Sequence, residues 1–216
     1  VKSTTETSMT YPGLIAILRG LTTEEAPEVG QCLYDAGFRS LEVPFNSPDP
    51  LATITALREA LPLDCLVGAG TVLTVDQVRQ CHDAGGRIVV SPNTDTVVIA
   101  ETVRLGMQSF PGAATPSDAF AAIGAGAKNV KIFPSEQVGI NGLKAWTAVV
   151  PKDIHLIPVG GIEATNIGIW MAAGATGFGI GSSLYKPGIA LEDLRQRAVA
   201  MIAAWKSALA STRKSA

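Results

Sequence analysis

Three ionisable side chains sit in or beside apolar runs that would carry them out of water. Lys131 lies within Val130-Lys131-Ile132-Phe133, Glu42 within Leu41-Glu42-Val43, and Arg19 directly after Leu14–Leu18. An ion in such a run is costly unless it is paired or used. Loss of solvent lowers a lysine's pKa, and the neutral amine attacks a ketone to give an imine, an electron sink for carbon–carbon cleavage. That chemistry moves protons at every stage, which suits a partly buried glutamate with a raised pKa. Arg19 is a candidate for a substrate carboxylate or phosphate, because its planar fork grips oxyanions. The plainer readings stay open here: an ion pair of Glu42 with Lys131 or Arg19, or a lysine that snorkels to the surface.

A second constellation is made of glycine. Gly160-Gly161 and Gly181-Ser182-Ser183 follow two apolar runs. Glycines let backbone N–H groups approach a phosphate, and the serines add hydroxyl donors. Tight turns alone are the alternative. Thr71, in Gly68-Ala69-Gly70-Thr71, is either a hydrogen-bond donor for a keto-acid carboxylate or a helix cap. Pro92 and Phe133 are candidates for pocket walls or simple packing. His82 falls on an expected helix and His155 at the entry end of a strand. With no His/Asp cluster nearby, no metal and no cofactor are expected.

The elements that must position these residues repeat along the chain. Apolar runs at Leu14–Leu18, Ser40–Val43, Cys65–Ala69, Arg87–Ser91, Met107–Phe110, Asn129–Phe133, His155–Val159 and Gly177–Ile180 alternate with helix-like stretches. Their starts are roughly 20 to 25 residues apart, room for one strand, one helix and two short loops. Helix starts are expected at Thr22-Thr23-Glu24-Glu25, Ser47-Pro48-Asp49, Thr74-Val75-Asp76-Gln77, Thr94, Thr115-Pro116-Ser117-Asp118 and Glu163-Ala164-Thr165. Stops are expected at Gly37, Gly85, Gly106, Gly126 and Gly174. This predicts an α/β chain folded as a (β/α)₈ (TIM) barrel, one domain over 11–216 with a loose tail over 1–10. A doubly wound sheet is the rival, but Arg19-Gly20-Leu21 is no nucleotide fingerprint. In a barrel, chemistry gathers at the carboxyl ends of the strands, and alternation there turns Glu42 and Lys131 inward, with Ile15 and Ile17 on the face of Arg19.

Bulk properties narrow the partners. The 216 residues carry a formal charge of −2, and 47% are hydrophobic, which speaks against disorder. Neither nucleic acid nor an anionic membrane is favoured. Charged residues are 17%, few enough that a partner subunit is expected to cover part of the surface. Cys32, Cys65 and Cys81 have no metal or redox spacing and suit a reducing cytoplasm. Residues 1–10 lack the apolar segment of a secretion signal.

The segments LIAILRG (14–20), AGFRSLEVPFNSP (36–48), VGAGTVL (67–73), SPN (91–93), PGAATPSDA (111–119), KIFPSE (131–136), PVGGI (158–162) and GIGSSLY (179–185) give the chain a resemblance. It resembles the 2-keto-3-deoxy-6-phosphogluconate and -galactonate aldolase family over nearly its whole length after Tyr11. The resemblance implies a metal-free class I retro-aldol reaction on a phosphorylated 2-keto-3-deoxy sugar acid, giving pyruvate and glyceraldehyde 3-phosphate. It places the Schiff-base lysine on Lys131 and the acid/base glutamate on Glu42, and it implies a homotrimer. The gluconate branch commonly has arginine where this chain has Asn46, and threonine where it has Val159. This sequence follows the galactonate pattern at both sites and in Gly-Ser-Ser-Leu-Tyr after the last strand. The two substrates differ at the C4 hydroxyl, to which threonine can hydrogen-bond and valine cannot. A galactonate preference is expected, with the gluconate epimer or both as the alternative. An isomerase or epimerase on the same barrel, or a non-catalytic sugar-phosphate binder, is the lower-ranked reading.

Overall fold

The computed structural model describes residues 13–214. The expected tail over 1–10 lies outside the described residues. Short strands alternate with helices: β1 (Leu14–Ile17), α1 (Ala26–Ala36), β2 (Ser40–Pro44), α2 (Pro50–Ala60), β3 (Leu66–Gly70), α3 (Val75–Asp83), β4 (Ile88–Val90), α4 (Thr96–Arg104), β5 (Gln108–Phe110), β6 (Gly112–Ala113), α5 (Pro116–Gly124), β7 (Asn129–Ile132), α6 (Ser135–Trp146), β8 (His155–Pro158), α7 (Ile167–Ala172), β9 (Phe178–Ile180) and α8 (Leu191–Lys214). The architecture is α/β with every strand pair parallel. One sheet runs β5-β4-β3-β2-β1-β9 and the other β6-β7-β8.

The sheets adjoin at both ends. Val159 bridges to Gly179 in parallel, bringing β8 beside β9. At the other junction the expected fifth strand is split into β5 and β6 by Pro111, which has no N–H for a ladder. Its carbonyl still accepts from the Lys131 N–H at 2.9 Å.

Alternation along the strands builds two apolar layers. Leu41, Val43, Val67, Ala69, Val130 and Ile132 pack outward with helix residues such as Leu33, Ile54 and Leu57. Ile15, Ile88, Val90, Phe110, Ile157 and Val159 form a separate inner cluster, with Ile17, Leu66 and Phe133 against it. Each fully buried branched or aromatic side chain contributes about 1.5–3 kcal/mol relative to exposure.

Local signals explain most helix ends. Thr74 with Gln77 and Thr115 with Asp118 form full capping boxes at α3 and α5. At α1 the Thr22 hydroxyl bonds the Glu25 carboxylate at 3.0 Å, and Glu25, the last residue of the expected start, is the cap position before Ala26. Two expected starts shift. At α4 the cap is Asp95, accepting from Val97 and Val98, while the Thr94 hydroxyl donates to the Gly112 carbonyl at 2.8 Å. At α7 the cap position is Asn166, not Glu163-Ala164-Thr165. The long α8 packs on α1 and α7. Among the described residues no helix is long and apolar enough to cross a membrane.

Candidate active site

β2 and β7 carry the two buried ions. Glu42 pairs in register with Gly68 on β3 and Ile17 on β1, and Lys131 with Gly112 on β6 and Ile157 on β8. Both line one small recess with Ile15, Ile17, Val90, Phe110, Ile157, Val159 and Gly179. The expected inward turn of both side chains therefore holds. Glu42 is 2% exposed and Lys131 8%.

An apolar wall acts on both groups in opposite senses. Burial raises the Glu42 carboxyl to about 7, against the opposing charges of Lys131 and Arg19. Burial lowers the Lys131 ammonium to about 8, with Glu42 opposing the fall and Arg19 adding to it. Glu42 Oε2 is buried with no hydrogen-bond partner, and among the described residues no ion pair within 4.0 Å joins Glu42 to Lys131 or to Arg19. The Lys131 Nζ lies over the Phe133 ring, 4.4 Å from its centroid. An orphaned buried carboxylate oxygen is costly; here it sits beside an amine that is partly neutral near pH 8. Gly70 makes the seat for that carboxylate: a Cβ there would lie 1.8 Å from Glu42 Oε2.

The recess shares Ile17, Val159 and Gly179 with a wider cleft of about 420 Å³. Its lining includes Arg19, Phe133, Val159, Gly160, Gly161, Gly181, Ser182 and Ser183. Two of the glycines have positive φ, Gly160 at 111° and Gly161 at 57°. Arg19 is exposed at the rim and donates through Nη1 to Asn46 Oδ1. A neutral acceptor holds the guanidinium without cancelling its charge. The next residue is held too, since the Gly20 N–H donates to Ser47 Oγ at 3.0 Å.

The structure leaves two expected site residues outside both linings. Thr71 follows β3 with φ of 54°, a left-handed conformation rare for a β-branched residue. Pro92 packs its carbonyl against Gly112, where a Cβ would come within 2.3 Å of that oxygen. Neither Thr71 nor Thr94 caps a helix. Ser183 lines the cleft, but its hydroxyl is committed to the Ile162 carbonyl at 2.7 Å.

The sequence reading missed Glu163, Tyr185, Lys186 and Pro187, all on the cleft wall. None lies on a strand, so strand alternation gave no signal for them. Burial raises the Tyr185 hydroxyl to about 12, with Glu25 adding. Among the described residues no three His, Cys, Asp or Glu side chains cluster as a metal site would require.

Comparison with known proteins meets this geometry. A family model described as aldolase, KDPG and KHG aldolase, matches residues 5–200. A probable 2-dehydro-3-deoxy-6-phosphogalactonate aldolase of Rhizobium meliloti (strain 1021) is 47% identical over 192 residues, 89% of this chain and 91% of the relative. A 2-dehydro-3-deoxy-6-phosphogalactonate aldolase of Escherichia coli (strain K12) is 42% identical, covering 91% of this chain and 96% of its own. Among solved structures, one described as native KDPGal superimposes with a TM-score of 0.90 at 42% identity, over 93% of this chain and 97% of that one. A buried lysine and glutamate at the bottom of a glycine-lined cleft, and a family match that spans both, lead to one statement: the chain belongs to the KDPG and KHG aldolase family.

Proposed function

We propose that this chain is a class I aldolase that cleaves 2-dehydro-3-deoxy-6-phosphogalactonate to pyruvate and glyceraldehyde 3-phosphate. The observation that carries the mechanism is Lys131 with its pKa lowered by burial, sharing a small, largely apolar recess with Glu42, whose pKa is raised. The galactonate names of the two relatives described above, 47% and 42% identical, support the substrate.

The neutral Lys131 amine attacks the C2 ketone, forming the N–C bond while the ketone oxygen takes a proton. Loss of water leaves the iminium. A base then removes the C4 hydroxyl proton, the C3–C4 bond breaks with its electron pair forming the C2=C3 bond of an enamine, the C=N π pair moves to the nitrogen, and C4 departs as the aldehyde. Protonation of C3 and hydrolysis release pyruvate and restore the amine. Glu42 is the proposed proton carrier for these transfers. With pKa values near 7 and 8, the two groups hold one proton between them around neutrality, as an acid/base pair requires.

The wider cleft is the proposed seat of the rest of the substrate. Gly160, Gly161, Gly181 and Ser182 would bind the phosphate, and Arg19 an anionic oxygen nearer the recess. Val159 lines both spaces, and Phe133 walls the cleft. Valine offers the C4 centre no hydrogen bond, which fits the galactonate epimer.

The joined edges of the two sheets support one closed (β/α)₈ barrel as a single domain over 11–216. A homotrimer is the proposed assembly; exposed Val97 (64%) and Phe120 (45%) on α4 and α5 are apolar surface for a second copy to cover. Sedimentation as a monomer would remove it. The catalytic reading is tested by cleavage assays on both C4 epimers with wild type and Lys131→Met. Turnover of the galactonate epimer by wild type and its loss in the variant are expected; cleavage by the variant at the wild-type rate would overturn the imine route.

A further inference from the structure

Four successive carbonyls in the loop after β8 are each tied down. Val159 O accepts from the Ser135 N–H at 3.0 Å, and Gly160 O from the Ser135 hydroxyl at 2.6 Å. Gly161 O accepts from Asn166 Nδ2 at 2.8 Å, and Ile162 O from the Ser183 hydroxyl at 2.7 Å. The three anchors come from the start of α6, the cap position of α7 and the loop after β9. Ser135 is fully buried.

The peptides here are trans, since the one cis bond among the described residues is Phe133–Pro134. In a trans peptide the carbonyl of one residue and the N–H of the next point in opposite directions. Turning the Gly160 carbonyl onto buried Ser135 therefore turns the Gly161 N–H the other way. Turning the Gly161 carbonyl onto Asn166 does the same for the Ile162 N–H. Neither N–H donates to a partner among the described residues, and both residues line the cleft. An untethered Gly-Gly segment would present carbonyl oxygens to an anion as readily as amides, because glycine resists neither orientation. The tethers remove that choice before the ligand arrives.

We infer that Ser135, Asn166 and Ser183 are positioning residues that hold the Gly160–Ile162 backbone with its N–H groups facing the cleft, and so set its affinity for the substrate's phosphate. This rests on the aldolase reading above and adds to it the residues that preorganise the anion site. Asn166 has a second bond that keeps it in place: its Oδ1 accepts from the Glu163 N–H at 3.0 Å.

The test separates phosphate binding from imine chemistry in the full-length protein. Ser135→Ala, Asn166→Ala and Ser183→Ala are compared with wild type in two assays. One measures KM for the phosphorylated sugar acid and inhibition by inorganic phosphate. The other measures solvent deuterium exchange into pyruvate, which needs Lys131 and Glu42 but no phosphate. Losing one tether is expected to raise KM and the phosphate inhibition constant about tenfold, roughly one hydrogen bond, and to slow exchange far less. Ser135→Thr and Ser183→Thr, which keep the hydroxyl, should recover most of the loss. The inference is overturned if KM and phosphate inhibition stay put in Asn166→Ala and Ser183→Ala, or if exchange falls in step with them in all three variants. Absence of exchange in wild type would instead overturn the aldolase reading, and this inference with it.

Discussion

The recess and the cleft above it handle charge in opposite ways. The recess holds two ionisable side chains in an apolar wall, almost wholly out of water. The cleft offers exposed Arg19 and Lys186 and the backbone of two glycine loops. Burial shifts pKa values and makes an amine nucleophilic, so it belongs where bonds are made. Backbone amides and exposed cations bind an anion without a proton changing hands, so they belong where the substrate is gripped. The prediction is a split: changes in the recess act on kcat, and changes in the cleft act on KM or on the choice of epimer.

The largest effect is expected from Lys131→Met, a loss in kcat of about 10⁴-fold or more, because removing the proposed nucleophile removes the proposed reaction path. Steady-state cleavage checks it. Glu42→Gln should lower kcat by about 10²- to 10⁴-fold, the usual range for general acid/base catalysis. The wild-type kcat/KM profile should fall below about pH 7 and above about pH 8, where the pair holds two protons or none. In Glu42→Gln the descending alkaline limb should be missing.

In the cleft, Ser182→Ala should raise KM for the phosphosugar by about tenfold and leave pyruvate exchange little changed. A fall in exchange equal to the rise in KM would erase the distinction between the two regions. Val159→Thr should move the ratio of kcat/KM between the C4 epimers by about tenfold toward the gluconate form.

The smallest effect is on stability. The folded pKa of Glu42 lies above its ordinary 4.5, so its contribution is full below that value and is lost as pH rises through about 7. Glu42→Gln removes this loss. The variant should gain on wild type by on the order of 1–3 kcal/mol between pH 5 and pH 7.5, read as a widening difference in Tm.

What could be read from the sequence follows the range of the interaction. Strand alternation is a two-residue rule, and it placed Glu42 and Lys131 inward. Capping boxes span three residues, and Thr74 and Thr115 cap where expected. Thr94 and Asp95 are equally able caps side by side; the hydroxyl of Thr94 is drawn instead to Gly112, eighteen residues on, a partner no local rule can see. Arg19 on Asn46 and Ser135 on Gly160 are likewise contacts across 27 and 25 residues. Thr71 was expected in the site by its position after β3; the left-handed backbone it adopts there, φ 54°, is a conformation no alternation rule describes. Lys186 and Glu163 reach the cleft from loops, where no periodicity applies.

The claim on which all of this depends is that Lys131 forms the imine. Reduction with borohydride in the presence of pyruvate, followed by peptide mapping by mass spectrometry, reads it directly. The expected result is one pyruvyl adduct on the Lys131 nitrogen and an inactive enzyme. An adduct on another lysine, or full activity after reduction, would contradict it.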